Sequence, residues 1–172
     1  MNLLFKFFLT LNTTSWMLVI YWIKEGVILG QTSKGVSAFI LLLIPILLSS
    51  FSILISRFLN NETLTGCKEF CLADNEFLPI YLGYFFVSLS VPDDITMIYL
   101  YFIIFVFTWL SQTQYFNPIF LLFGYHYYHV QTINGTKIFI IKKGKVIRNK
   151  DNMSFNNLKR INDSTYIQRK ED

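Results

Sequence analysis

The stretch Tyr115–Val130, YFNPIFLLFGYHYYHV, divides the chain into an apolar part and a polar, basic part. Seven of its first fifteen residues are Phe or Tyr, and His126 and His129 accompany them. Aromatic rings with a polar edge favour the headgroup layer of a bilayer, where one end of the ring is apolar and the other is hydrated. We therefore interpret residues 115–130 as an interfacial aromatic hinge between a membrane part and a cytoplasmic part. The residues expected to form this hinge are Asn117, Pro118, Gly124, Tyr125 and His126.

The composition is that of a membrane protein with a charged tail. The 172 residues are 53% hydrophobic, 18% aromatic and 15% charged, whereas soluble domains have about a quarter charged residues. Residues 1–136 contain five Lys/Arg and seven Asp/Glu, and residues 137–172 contain ten and four. Because basic residues close to a span stay on the cytoplasmic side, we expect a cytoplasmic C-terminus. A nucleic-acid patch is the alternative interpretation of the same charges, and it is less favoured because the tail directly follows a span.

Four apolar segments upstream of the hinge predict four transmembrane helices. The sequence therefore predicts an all-α membrane protein: a four-helix bundle over residues 1–114, with a small C-terminal cytoplasmic β element. Both termini would lie in the cytoplasm of a bacterial inner membrane. The first segment lacks the small-residue cleavage site of a signal peptide and is kept as a span. The expected spans are about 3–23, 36–59, 76–92 and 95–113.

Two polar or helix-breaking features fall inside the predicted spans. Asn12 begins the cluster Asn12-Thr13-Thr14-Ser15 in the first span, and Pro45 interrupts the second. Ser and Thr can hydrogen-bond to their own helix, whereas a buried Asn favours a partner on another helix. A proline kinks a membrane helix but is tolerated there. We expect Asn12 and Pro45 to contribute to packing of the bundle or of an oligomer.

Residues 131–172 are expected to form a basic cytoplasmic β tail. Asn134-Gly135 is a strong hairpin signal, and the flanking runs YYHVQTI and TKIFIIKK are rich in strand-forming residues. A unit of three or four short strands has little core of its own, so we expect it to rest on the membrane, another copy or a partner. The basic residues expected to bind a partner are Lys142, Lys143, Lys145, Arg148, Lys159 and Arg160.

The sequence contains no catalytic or cofactor motif above background. Cys67 and Cys71 are one helical turn apart, and we interpret them as two reduced thiols on one helix face. A disulfide would need an oxidising compartment, and a metal site would need two further ligands. His126 and His129 have no carboxylate near them in sequence, so we interpret them as interfacial polar rings. We expect no enzymatic activity, no cofactor and no metal.

Residues 115–167 resemble those of a known family. The run YFNPIFLLFGYHYYHV, then TINGTKIFIIKKG and LKRINDSTYI, is similar to KwaA, the membrane subunit of the Kiwa anti-phage defence system. The resemblance implies a four-span inner-membrane protein that forms homo-oligomers, senses phage attack at the envelope and works with a separate cytoplasmic effector, KwaB-like in this family. It implies no catalytic residue.

Two hypotheses for function follow. In the first, the chain is a sensor or scaffold of prokaryotic antiviral defence that recruits a cytoplasmic effector, with no direct binding to nucleic acid. In the second, it is a small pore, transporter or toxin-immunity protein that acts within its spans, as the Asn12–Ser15 cluster and the Pro45 kink would allow.

Overall fold

Four long helices and a six-stranded sheet make up the part of the chain that the structure, a computed structural model, describes: residues 3–63, 66–111, 115–147 and 157–169. The chain divides into two compact units. The helical unit comprises Lys6–Ser52 and Phe77–Asn117, and the sheet unit comprises Met1–Phe5, Ile53–Glu76 and Pro118–Asp172. Each unit is therefore assembled from separate stretches of sequence.

The helical unit is built from α1 (Leu3–Lys24), α2 (Lys34–Ile55), α3 (Phe77–Ser90) and α4 (Asp94–Leu110). The first two helices have 22 residues each, and Pro45 lies inside α2. Helix α4 begins at a side-chain cap, because the Asp93 carboxylate accepts a hydrogen bond from the Thr96 amide at 2.9 Å. The core of the unit is rich in aromatic residues and Met. Its buried members are Met17, Tyr21, Tyr81, Tyr84, Val91 and Met97.

The polarity of the helical unit is the reverse of that of a soluble bundle. Polar side chains are buried inside it, and large apolar side chains cover its outside. The buried polar residues include Asn12, Thr13, Thr14, Ser49, Ser52 and Ser88, each 0% exposed. The exposed apolar residues include Phe39, Leu47, Phe86, Ile95, Ile98, Phe102 and Phe107, each 65–68% exposed.

The sheet has the order β1-β5-β6-β4-β3-β2, and every neighbouring pair is antiparallel except β4 and β6. The strands are β1 (Asn61–Glu62), β2 (Cys67–Leu72), β3 (Tyr125–Thr132), β4 (Lys137–Lys143), β5 (Leu158–Arg160) and β6 (Thr165–Gln168). A 3-10 turn, Ser56–Phe58, precedes β1, and a five-residue helix, α5 (Pro118–Leu122), precedes β3.

The middle of the sheet is buried on both faces. All four residues of β6 and the five inner residues of β4 are buried. On one face, Tyr128, Val130, Ile138, Ile140 and Leu158 pack with Cys67 and Tyr166. Burial of this much apolar surface from both sides is the main contribution to the stability of the sheet.

The prediction of an all-α, four-span bundle with a small C-terminal β element is wrong. The architecture is mixed, because the sheet recruits β1 and β2 from the segment between α2 and α3, which the sequence presented as a polar connection. Among the described residues, only Leu3–Lys24 and Lys34–Phe58 are long and apolar enough to cross a bilayer. Helices α3 and α4 have 14 and 17 residues, roughly 21 and 26 Å against a hydrocarbon core of about 30 Å.

Local predictions of turns and short elements agree with the structure. Asn134-Gly135 lies in the tight connection between β3 and β4, which pair antiparallel from Tyr125↔Lys143 to Gln131↔Lys137. Helix α5 begins at Pro118, in the first helical turn where proline is tolerated, and Thr165–Gln168 forms a strand. These signals depend on a few neighbouring residues, so they survive the error in overall architecture.

Candidate functional site

A buried polar junction centres on Ser49 in the helical unit. The Ser49 hydroxyl accepts hydrogen bonds from Asn12 Nδ2 and Asn117 Nδ2, both at 3.0 Å. It also donates to the Pro45 carbonyl at 2.7 Å. The predicted packing residues Asn12 and Pro45 and the predicted hinge residue Asn117 therefore meet at one hydroxyl that the sequence did not single out. The junction joins α1, α2 and the segment before α5 within one copy of the chain.

The six basic residues expected to bind a partner do not form one free patch. Lys142 is only 8% exposed on β4, and the Lys159 ammonium donates to the Leu59 carbonyl at 2.8 Å. Lys143 and Lys145 are exposed. Arg148 lies outside the described residues. Lys142 is therefore withdrawn from the surface, and the Lys159 ammonium is engaged within the chain.

Arg160 is the centre of an ion-pair cluster. Its two terminal nitrogens lie 2.7 Å from Glu62 and 2.6 Å from Asp163. The hydrogen bond that Arg160 donates to Glu62 and, next, the one that it donates to Asp163 raise the pKa of the Arg160 guanidinium. Because Glu62 is on β1 and Arg160 on β5, the pair closes one edge of the sheet. The cluster carries more negative than positive charge and is unsuited to an acidic partner.

Two histidine–carboxylate pairs connect β3 to the turn that precedes α3. His126 Nδ1 lies 2.6 Å from Asp74 Oδ2, and His129 Nε2 lies 3.0 Å from both Glu76 oxygens. The second Asp74 oxygen accepts from the backbone amide of Tyr127 at 2.7 Å. Both histidines therefore have carboxylate partners in the folded chain, although none lies near them in sequence. The acids are about fifty residues away in sequence, and only the pairing of β2 with β3 brings them close.

The remaining hinge residues lie at the junction of α5 and β3. Gly124 adopts φ 75°, a conformation that side chains disfavour, and it connects the helix to the strand. Tyr125 is the first residue of β3 and is 2% exposed. Burial raises the pKa of the Tyr125 phenol, and the neighbouring Arg169 and Arg57 oppose this rise. Tyr127 and Tyr128 are also buried in the sheet unit, so the aromatic run serves largely as protein core.

Cys67 and Cys71 lie on strand β2 and not on a helix as expected. The two thiols are not joined in a disulfide; Cys67 is buried and Cys71 is exposed. A register shift between Cys67 and Glu69 separates the two environments. Among the described residues, no group of three or more His, Cys, Asp or Glu is placed to hold a metal ion.

Comparison with known proteins identifies one relationship. A protein-family model described as "Anti-phage protein KwaA" matches residues 5–167. No curated protein matches the chain, and no solved structure does. The match covers both the helical unit and the sheet unit, including the residues on which the sequence resemblance was based.

Proposed function

Because the chain belongs to the KwaA family of anti-phage proteins, we propose that it is a membrane-inserted subunit of a prokaryotic anti-phage defence system that holds a cytoplasmic effector protein on its sheet unit. The family supplies the role in defence. The insertion into a membrane and the recruitment of an effector are argued below from the two units separately.

Reversed polarity of the helical unit is the observation that carries the membrane proposal. Phe86, Phe102 and Leu47 are each 67% exposed, whereas Asn12 and Ser49 are fully buried. In water, exposing so many large apolar side chains would be unfavourable, because soluble monomers rarely expose extended apolar patches. In a bilayer, the same apolar side chains would contact the acyl chains of the lipids. The buried polar groups would be hydrogen-bonded within the protein. Helices α1 and α2 supply the crossing segments in this proposal.

Membrane insertion is tested by extraction of isolated membranes at alkaline pH. We expect the full chain to stay in the pellet and to be released only by detergent. Release by alkali alone would refute insertion.

The side on which the sheet unit lies is tested with the exposed thiol of Cys71. A membrane-impermeant maleimide should label Cys71 only after the inner membrane is permeabilised, and labelling in intact spheroplasts would contradict a cytoplasmic sheet unit.

The tip of the β3–β4 hairpin is the surface that best suits a protein partner. Residues 133–137 are all exposed, and Ile133 is 67% exposed. A large apolar side chain at the end of a hydrogen-bonded hairpin is a suitable central contact for a protein interface. Nearby Lys137 would give such an interface a basic rim that favours an acidic partner surface.

Effector docking is tested by affinity purification of the full chain in detergent. We expect a soluble protein encoded beside this chain to co-purify with the wild type and to be lost with Ile133→Asp. Val146→Asp is the matched control, because Val146 is also an exposed apolar residue of the sheet unit, away from the hairpin tip. Equal recovery with wild type and Ile133→Asp would remove the hairpin from the proposal.

The pore or transporter hypothesis receives less support from the buried polar residues. Thr14, Ser52 and Ser88 bond to carbonyls one turn earlier in their own helices, and Asn12 bonds to Ser49. These hydrogen bonds stay within one helix or join α1 to α2, as in helix packing, and this favours the sensor hypothesis.

A further inference from the structure

Three basic side chains from distant parts of the sheet unit converge on Tyr125. The Lys143 ammonium lies 5.9 Å from the centre of the Tyr125 ring. Arg169 hydrogen-bonds the Tyr125 hydroxyl, and Arg57 is close enough for its charge to act on the same group. Lys143 is the last residue of β4, Arg169 follows β6 and Arg57 follows α2, so the fold, and not the local sequence, collects them.

The charges of this cluster are not neutralised by carboxylates in the part of the chain that the structure describes. No ion pair there involves Arg57, Lys143 or Arg169. Arg160, in contrast, has two carboxylate partners. The Nε atom of Arg169 is buried and has no hydrogen-bond acceptor among the described residues. Like charges held together around a buried ring are unfavourable, and a bound anion would relieve their repulsion.

The surroundings of the cluster are apolar. Leu122 is 79% exposed and Phe123 is 37% exposed, immediately before Gly124 and Tyr125. Arg57 lies at the end of Lys34–Phe58, the more apolar of the two candidate spans. Basic residues that flank a span, next to exposed apolar side chains, are the arrangement that attracts anionic lipid.

We infer that Arg57, Lys143 and Arg169, which lie around the buried Tyr125, form a binding site for the phosphate group of an acidic glycerophospholipid. This inference rests on the proposed membrane insertion. Guanidinium groups bind phosphate oxygens through paired N–H donors, and the exposed Lys143 ammonium adds a further donor. Leu122 and Phe123 would lie along the acyl region of the same lipid. A zwitterionic lipid, whose own ammonium group offsets its phosphate, should bind more weakly.

The test is native mass spectrometry of the full chain, purified in detergent and mixed with equal amounts of phosphatidylglycerol and phosphatidylcholine. We expect selective retention of phosphatidylglycerol. Arg57→Gln and Arg169→Gln should each reduce its retention about fivefold, as expected for one juxtamembrane basic residue. Lys137→Gln is the control, because Lys137 is exposed at the opposite end of β4 from Lys143. Arg57→Lys and Arg169→Lys should keep most of the retention.

Several results would overturn the site. Equal retention of the two lipids by wild type would do so, as would unchanged retention in the Gln variants. If millimolar inorganic phosphate displaces the lipid, the cluster is a site for free phosphate. If the Gln variants lose oligonucleotide binding but retain the lipid, the cluster is a site for nucleic acid. If a Gln variant does not fold, the salt dependence of the wild type is the test instead. Rising salt should lower the retention of phosphatidylglycerol and leave that of phosphatidylcholine unchanged. Release from membranes by alkali would refute membrane insertion itself. That result is distinct from the loss of lipid selectivity, which would refute only the lipid site.

Discussion

At the scale of single residues, Ser49 shows how a small side chain can decide the packing of three segments. Its hydroxyl satisfies two buried amides and one carbonyl. Asn12 was recognisable from sequence because an amide inside an apolar run requires a partner. Ser49 was not, because it is one of several serines in α2 and only the folded chain shows which of them faces Asn12.

We predict that Ser49→Ala lowers the free energy of unfolding by about 1–3 kcal/mol, because it leaves the amides of Asn12 and Asn117 buried without their shared acceptor. Thermal unfolding in detergent measures the change. Ser50→Ala is the control, since Ser50 bonds only to the Ile46 carbonyl of its own helix, and we expect it to have little effect. Similar losses of unfolding free energy in the two variants would show that the Ser49 junction stabilises the fold no more than an ordinary serine of α2.

A second residue-scale prediction concerns Asp93, which caps α4. Hydrogen bonds from the Thr96 amide and, next, the Thr96 hydroxyl lower the pKa of the Asp93 carboxyl. A carboxyl with a lowered pKa stabilises the folded state above its unfolded pKa of about 3.9, and this contribution is lost as pH falls through the folded pKa. Asp93→Asn keeps the cap but cannot titrate.

The measurement is the unfolding midpoint of wild type and Asp93→Asn between pH 6 and pH 3. We expect the wild type to lose more stability than the variant as the solution is acidified below about pH 4. Parallel curves for the two proteins would contradict the assignment of a titrating cap to Asp93.

At the scale of elements, β2 and β3 show what sequence patterns resolve and what they miss. Strand β3 and its hairpin to β4 were predicted, because the two strands are adjacent and Asn134-Gly135 marks the turn. Strand β2, Cys67–Leu72, was not predicted. It is short, mostly exposed and paired with β3, some sixty residues later in the chain. Its strand character comes from that pairing and not from its own propensity.

We predict that the turn after β2 is held to β3 by Asp74. Asp74→Ala removes the acceptor of the Tyr127 amide and the partner of His126. Hydrogen exchange at the Tyr127 amide should become roughly fivefold faster, as expected for the loss of about 1 kcal/mol per hydrogen bond.

Glu76→Ala is the matched control for this experiment. Glu76 contacts the exposed His129 side chain and accepts no hydrogen bond from the backbone of β3 among those the structure describes. Exchange at Tyr127 should stay near the wild-type rate in this variant. Equal acceleration in both variants would mean that the turn is held by charge in general and not by the Asp74–Tyr127 hydrogen bond.

At the scale of the whole molecule, the sheet unit is not a separable tail. It takes β1 and β2 from before α3 and the other strands from after α4. The composition and the charge asymmetry indicated an apolar part and a basic part, but they could not show that residues 53–76 belong with the latter. Contacts between segments that are distant in sequence leave no periodic signal, so the division of the chain was the least predictable feature.

This assembly predicts that shortening the chain destroys the whole sheet. A chain that ends at Val130 lacks β4, β5 and β6, so β1 loses its partner β5 and β3 loses its partner β4. We expect Lys68, on the exposed face of β2, to be cleaved rapidly by trypsin in this variant and slowly in the full chain.

A chain that ends at Arg169 retains all six strands and should resist trypsin as the full chain does. Equal resistance of the Val130 chain would show that β2 is ordered without the strands beyond β3. If the sheet is lost as expected, failure of the Val130 chain to hold an effector would report unfolding and not the position of the docking surface. Point changes at the hairpin tip, such as Ile133→Asp, keep every strand, and they are the variants that can locate the partner.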